Sequence, residues 1–171
     1  MERHLEPLAI AANVTQAAGC RLDTVLLTFG SLVAQYRGMQ HEEDIAARDA
    51  ILGSLEKRWL VADQDIFIAA VVVNPFFQAT PFAPGPRFVV ARMKALFSSL
   101  YLRFFQSQPP DAFHTEIHDY LTASGRYREL GSSCHAHKLR IADNVCLCSA
   151  TTCRVLTCCH RCQNTQTRWC F

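Results

Sequence analysis

The sequence lacks an apolar run long enough to cross a membrane. Its longest, residues 66–73, falls far short of the roughly 20 residues that a transmembrane helix requires. We expect no secretory leader, because residues 1–7 contain no apolar stretch. Charged residues are scarce, at 19% of 171, whereas apolar residues make up 50%. These features exclude a disordered chain and predict a globular protein in a reducing compartment, nuclear or cytoplasmic and not secreted, with no membrane partner.

An excess of basic residues is also missing from most of the chain. Residues 1–130 contain 12 Lys and Arg against 14 Asp and Glu, a net charge of −2, whereas residues 131–171 contain 5 against 1, a net charge of +4. Charge alone therefore does not predict a nucleic-acid-binding patch in the body of the chain. Six basic residues would approach phosphates only if the helices brought them together: Lys57, Arg58, Arg87, Arg92, Lys94 and Arg103.

What is present is helical periodicity, which predicts an all-α, multi-helix domain of about six helices over residues 5–130. The first helix is predicted to start at Pro7 and to carry small residues at helical spacing as far as Gly19. The others are predicted at about residues 22–37, 42–60, 64–73, 88–105 and 111–124, with Gly125 as the C′ residue of the last. No strand and no internal repeat is predicted.

Apolar stripes on these helices predict the core. The second helix carries the stripe Leu22, Val25, Leu26, Phe29, Leu32, Val33 and Tyr36. The third carries Leu52, Leu55 and Trp59, and the fifth carries Val89, Met93, Leu96, Phe97, Leu100 and Phe104. The register of Trp59 favours core packing over stacking on a nucleic-acid base. His4 and His41 have no predicted partner.

Residues 51–77, ILGSLEKRWLVADQDIFIAAVVVNPFF, carry a family resemblance. The order SLEKRW, a short acidic spacer and DIFIAAVVVNPFF resembles the "helix, then LLAAxLDPRFK" segment of hAT-type transposases, in particular the ribonuclease H-like proteins of the fungal type. The similarity covers about residues 5–130, with LEPLAIAANVTQAAGCRLDTVLLTFGSLVAQY before this segment and FHTEIHDYLTASGRY after it. It implies the helical insertion region of such a transposase, which handles DNA and serves self-association in a homo-oligomer.

The same resemblance implies that an intact relative holds divalent metal ions with three acidic residues and transfers DNA strands. Two aspartates of that triad belong to strands outside the matching region, and the motif of the final glutamate is not visible. We therefore assign no catalytic residue and predict a non-catalytic fragment of a hAT-like, transposase-derived protein. We interpret four acidic residues as helix caps or solvated surface: Asp63, Asp65, Asp111 and Glu56.

Residues 131–171 differ in character, because they contain eight of the nine cysteines and show no periodicity. We predict an irregular, Cys-rich, low-order tail. A frame change, a retained intron or a truncated gene copy would produce such a switch. The alternative is a zinc site in which Cys159 and Cys162, a CxxC pair, are completed by residues such as Cys134 and His137. With a single CxxC the spacing is poor for zinc, so we assign no metal or cofactor.

Two further alternatives remain open for the function. One is a free-standing helical protein-interaction module, with an apolar groove where the Phe-rich residues 76–88 meet the fifth helix. The other is a zinc-binding, nucleic-acid-binding protein that uses the tail.

His114 and His118 lie at i and i+4, a spacing that suits a metal on a helix face. They lack a third ligand, so we interpret them as exposed helix residues.

Overall fold

The computed structural model describes residues 2–82, 85 and 88–129. Within these ranges the chain forms six α-helices and no strand, which confirms the all-α prediction for this part. The helices are α1 (Glu2–Thr15), α2 (Leu22–Gly38), α3 (Ile45–Val61), α4 (Gln64–Val73), α5 (Val90–Phe105) and α6 (Asp111–Thr122). Short 3-10 turns occur at Glu42–Asp44 and Gly125–Tyr127. None of the helices in these ranges is both long and apolar enough to span a bilayer.

The predicted start of the first helix was wrong, because α1 begins at Glu2 and contains Pro7. Proline removes one backbone donor, and near a helix N-terminus that loss is small. The turn before Pro7 is held by tertiary contacts, since Arg3 and His4 bind the Asp44 carboxylate. At its other end α1 stops at Thr15, not at Gly19. The hydroxyl of Thr15 donates to the carbonyl of Ala11 at 2.8 Å.

The described residues form two compact units, which divide between Val71 and Val72. In the first unit α2 packs against both α1 and α3. The core of this unit consists of Ala11, Leu32, Val33, Tyr36 and Leu55. The stripe of α2 is confirmed at Leu26, Leu32, Val33 and Tyr36, which are buried, whereas Leu22 was predicted wrongly and is exposed.

In the second unit α5 packs against α6. Met93, Phe97 and Leu100 are buried as the stripe of α5 predicts, but Phe104 was predicted wrongly and is 58% exposed. The hydroxyl of Tyr120 donates to the carbonyl of Val72 at 2.9 Å. This bond attaches α6 to the start of the unit.

The end of α6 also differs from the prediction. Ala123, not Gly125, is the left-handed C-cap, with φ 51°. Gly125 has φ +52° and opens the following 3-10 turn. That turn folds back on the helix, because the hydroxyl of Tyr127 donates to the Glu116 carboxylate at 2.9 Å and Arg126 pairs with the same carboxylate. A Cβ at position 125 would lie 2.7 Å from Oδ2 of Asp119.

Gly125→Ala is therefore expected to lower the free energy of unfolding by about 1–2 kcal/mol, because a left-handed backbone and a close contact both disfavour a side chain there. Gly53→Ala is the matched control. Gly53 lies inside α3 and its Cβ would meet nothing within 4 Å, so this change should raise stability by about 0.5–1 kcal/mol. The free energies of unfolding of both variants are measured by urea titration, with the helical circular dichroism signal as the readout. An unchanged stability for Gly125→Ala would contradict this account of the turn.

Candidate functional site

An open apolar groove lies over the first unit, between α1, α2 and α3, with a volume of about 440 Å³. Each helix contributes four residues at spacing i, i+3, i+4 and i+7. The set begins at Leu8 in α1, at Val25 in α2 and at Ile51 in α3. This spacing places each set on one face of its helix over two turns. Three helix faces therefore converge on a single groove.

The groove has a buried floor and an exposed rim. Ala11, Leu32 and Leu55 form the floor and belong to the core of the unit. Ala12 and Ser54 line the groove and are exposed to solvent. Small side chains at these positions leave room that larger ones would fill, so the groove stays open.

Arg58 is the one charged side chain among the described residues that line the groove. It lies in the last turn of α3 and is exposed. It has no hydrogen-bond or ion-pair partner within residues 2–82, 85 and 88–129. A guanidinium is thus placed at the edge of an apolar surface.

A buried carboxylate connects α1 to the start of α3. Asp44 is 2% exposed, and its Oδ1 lies 2.7 Å from Nε2 of His4 and 2.8 Å from Nη2 of Arg3. The hydroxyl of Tyr36, on α2, donates to the carbonyl of His4 at 2.6 Å. A phenol is protonated at neutral pH, and burial raises the pKa of Tyr36 further, so this hydroxyl remains a donor. One polar cluster therefore connects the three helices that form the groove.

The charge state of Asp44 reflects two opposing effects. Burial raises the pKa of this carboxyl, but the hydrogen bond from His4 and the charge of Arg3 outweigh burial and hold the pKa below its ordinary value. Sequence reasoning missed the cluster, because His4 and Asp44 are 40 residues apart.

Of the sequence-based metal candidates, His114 and His118 lie on α6. Glu116, between them, is engaged by Arg126 and Tyr127. No group of three or more His, Cys, Asp or Glu residues that could hold a metal ion occurs in the part of the chain that the structure describes. The zinc candidates of the tail, Cys134, His137, Cys159 and Cys162, lie outside the described residues.

The aromatic and acidic candidates of the sequence occupy structural positions. Trp59 packs between Phe29 and Phe67, with ring centroids 6.1 and 6.5 Å away, as the core interpretation predicts. Asp65 and Asp111 lie in the first turns of α4 and α6, where the helix dipole favours a negative charge. Asp63 directly precedes α4, and Glu56 lies within α3.

The basic candidates do not all belong to one unit. Lys57 and Arg58 lie on α3 of the first unit, and Arg92, Lys94 and Arg103 lie on α5 of the second. Arg87 lies outside the described residues.

The Phe-rich connector, where the groove was predicted, has Phe82 buried and stacked on Phe88 at a centroid distance of 4.2 Å. That ring is occupied within the unit, and the groove described here lies on α1 to α3.

No protein-family model matches this chain, and no curated protein or solved structure matches it.

Asp44→Asn is expected to destabilise the first unit at neutral pH, because it removes the charge that Arg3 and His4 bind. A carboxyl with a lowered folded-state pKa contributes stability above its unfolded-state pKa of about 4 and loses it as the pH falls through the folded-state value. The difference in free energy of unfolding between wild type and Asp44→Asn should therefore be largest at pH 7 and decrease below about pH 4.

Thermal unfolding measured from pH 7 to pH 3 checks this, with Glu42→Gln as the control. Glu42 belongs to the same acidic turn but is exposed, so its substitution should change stability little. A difference for Asp44→Asn that stays constant across this range would contradict the assignment.

Proposed function

We propose that this chain is a non-catalytic helical interaction module, derived from a hAT-like transposase, and that it binds another polypeptide in the groove formed by α1, α2 and α3. The observation that carries the proposal is the groove itself, about 440 Å³ in volume and lined by one face of each of three helices. Grooves between helices are one of the recurring places where proteins take up an amphipathic partner helix.

The size of the groove favours its interpretation as a binding surface. The other interpretation is a packing defect in the core. An enclosed dry cavity of this volume would cost about 10 kcal/mol at roughly 24 cal/mol per Å³. That cost is comparable to the total stability of a small domain, about 5–15 kcal/mol. An opening to solvent avoids the cost but leaves apolar side chains in contact with water. A bound polypeptide would remove those side chains from water, which is favourable at about 25 cal/mol per Å².

Charge favours a protein partner over DNA for this surface. Residues 1–130 have a net charge of −2, and Arg58 is the one charged side chain among the described residues that line the groove. Nucleic-acid affinity rests mainly on several basic residues that neutralise phosphates together. The proposed descent rests on the resemblance over about residues 5–130, which implies self-association or DNA handling in an intact relative.

Ala12→Glu is expected to weaken binding of an amphipathic helical peptide by about tenfold or more, because it places a carboxylate on the apolar surface that the peptide covers. The probe is a fluorescent, Leu- and Ala-rich peptide of about 14 residues, long enough to span two turns at 1.5 Å per residue with a further turn at each end. Binding to the full-length protein is measured by fluorescence anisotropy.

Ala9→Glu is the matched control, since Ala9 is exposed on α1 but does not line the groove. Its affinity for the peptide should stay within about twofold of wild type, as for a surface substitution outside the interface. If the full-length protein bound no helical peptide and sedimented as a monomer, the interaction module would be rejected.

A metal chelator is expected to leave both peptide affinity and the helical circular dichroism signal unchanged. The proposed groove uses apolar contacts of α1, α2 and α3, whereas a protein that depends on zinc loses its fold or its binding when the metal is removed. EDTA titration of the full-length protein, with the released metal measured by a colorimetric indicator, distinguishes the apolar groove from a zinc-dependent binding site. Loss of binding together with zinc release would favour the zinc-binding alternative based on the tail.

A further inference from the structure

We infer that the groove takes a single amphipathic helix whose apolar face enters between α1 and α3 and whose acidic side chain pairs with Arg58. The inference rests on the proposed function and adds the chemistry of the partner. Three features of the groove carry it: the spacing of its lining residues, the size of the space and the position of its charge.

The spacing indicates a helix as the occupant. All three walls present residues i, i+3, i+4 and i+7, the pattern with which helices pack in bundles. Each wall spans about 10 Å at 1.5 Å per residue, or two turns. An extended peptide is usually recognised at the edge of a sheet, and residues 2–82, 85 and 88–129 contain no strand to provide one. A fourth helix would complete the packing that three helices begin.

The size indicates how much of that helix enters. The groove holds about 440 Å³, roughly three times the ~150 Å³ cavity that accommodates a benzene molecule. It therefore has room for a few large apolar side chains from one helix face, but not for a whole helix. The exposed, small residues Ala12 and Ser54 at its rim allow the backbone of the incoming helix to approach closely. An amphipathic helix fits, with its polar face remaining in water.

The charge indicates which amphipathic helix. Arg58 borders both this groove and a smaller cleft of about 100 Å³ that Trp59 and Phe67 also line. An occupant would remove the guanidinium from water, which is unfavourable unless a partner of opposite charge replaces the water. A carboxylate accepts two parallel hydrogen bonds from a guanidinium, whereas a lysine at the same place would be repelled.

A basic residue in the last turn of a helix also suits the helix dipole, so position alone does not distinguish Arg58. Arg103 occupies the last turn of α5 in the same way, but its guanidinium lies over the Phe104 ring at 5.1 Å. Arg58 has no such partner within the described residues, and it is the charge that lines the groove. It is therefore available to an incoming carboxylate.

Two synthetic helical peptides test this on the full-length protein. Both have the same apolar face, and they differ only in a Glu or a Lys at each end of that face, so either orientation brings the charge to Arg58. We expect the Glu peptide to bind about tenfold more tightly at low salt, with a smaller difference at high salt. Arg58→Glu should reverse the preference. Lys57→Glu, the control at an exposed neighbour that does not line the groove, should preserve it.

The outcomes separate the partner chemistry from the interaction module. Equal affinity for both peptides, unaffected by Arg58→Glu but weakened by Ala12→Glu, would overturn the acidic-helix inference and leave the module intact. Self-association that Ala12→Glu weakens, with no binding of either peptide, would identify a second copy as the occupant and also overturn the inference. Failure of both peptides together with a monomeric protein would overturn the proposed function itself.

Discussion

The first unit depends on one buried charge. Asp44 is nearly inaccessible to solvent, and a carboxylate in that position is costly unless its partners are present. Arg3 and His4 supply them from the first turn of α1, and Tyr36 on α2 binds the carbonyl of His4. Three helices are thus connected through one polar cluster. The connection fixes where α1 and α3 lie on α2, and hence where the groove between them can form.

Sequence periodicity predicted the elements of this fold well and their contacts poorly. The bounds of α4 agree with the prediction, and α2 differs by about one residue, because hydrophobic periodicity is a local signal that can be read from the sequence. The start of α1 was missed because its first turn is held by Asp44, 40 residues away. No local signal reports such a bond. Proline is favoured at the first position of a helix, but tertiary contacts, which sequence patterns do not include, extend α1 to residues before Pro7.

The groove shows a second limit of periodicity. The sequence predicts small residues at helical spacing along the first helix, and in the structure Leu8, Ala11, Ala12 and Thr15 form one wall of the groove. An i, i+3, i+4, i+7 stripe states only that a face is apolar. Whether it meets another part of the same chain or remains open depends on side-chain volumes across three helices. That information lies in the combination of Ala12, Ser54 and Arg58, and no single stripe contains it.

Binding in such a groove would be coupled to the stability of the unit that presents it. The floor residues Ala11, Leu32 and Leu55 belong both to the groove and to the core, so an occupant would contact the same side chains that hold the helices together. A ligand that binds only the folded state stabilises it by RT ln(1 + [L]/Kd), about 2.7 kcal/mol at a hundredfold excess over Kd. Asp44 lies at the start of α3 and connects it to α1, and Arg58 lies in the last turn of α3. Loss of the Asp44 cluster would therefore weaken binding without touching the groove, by lowering the population of the arrangement that an occupant recognises.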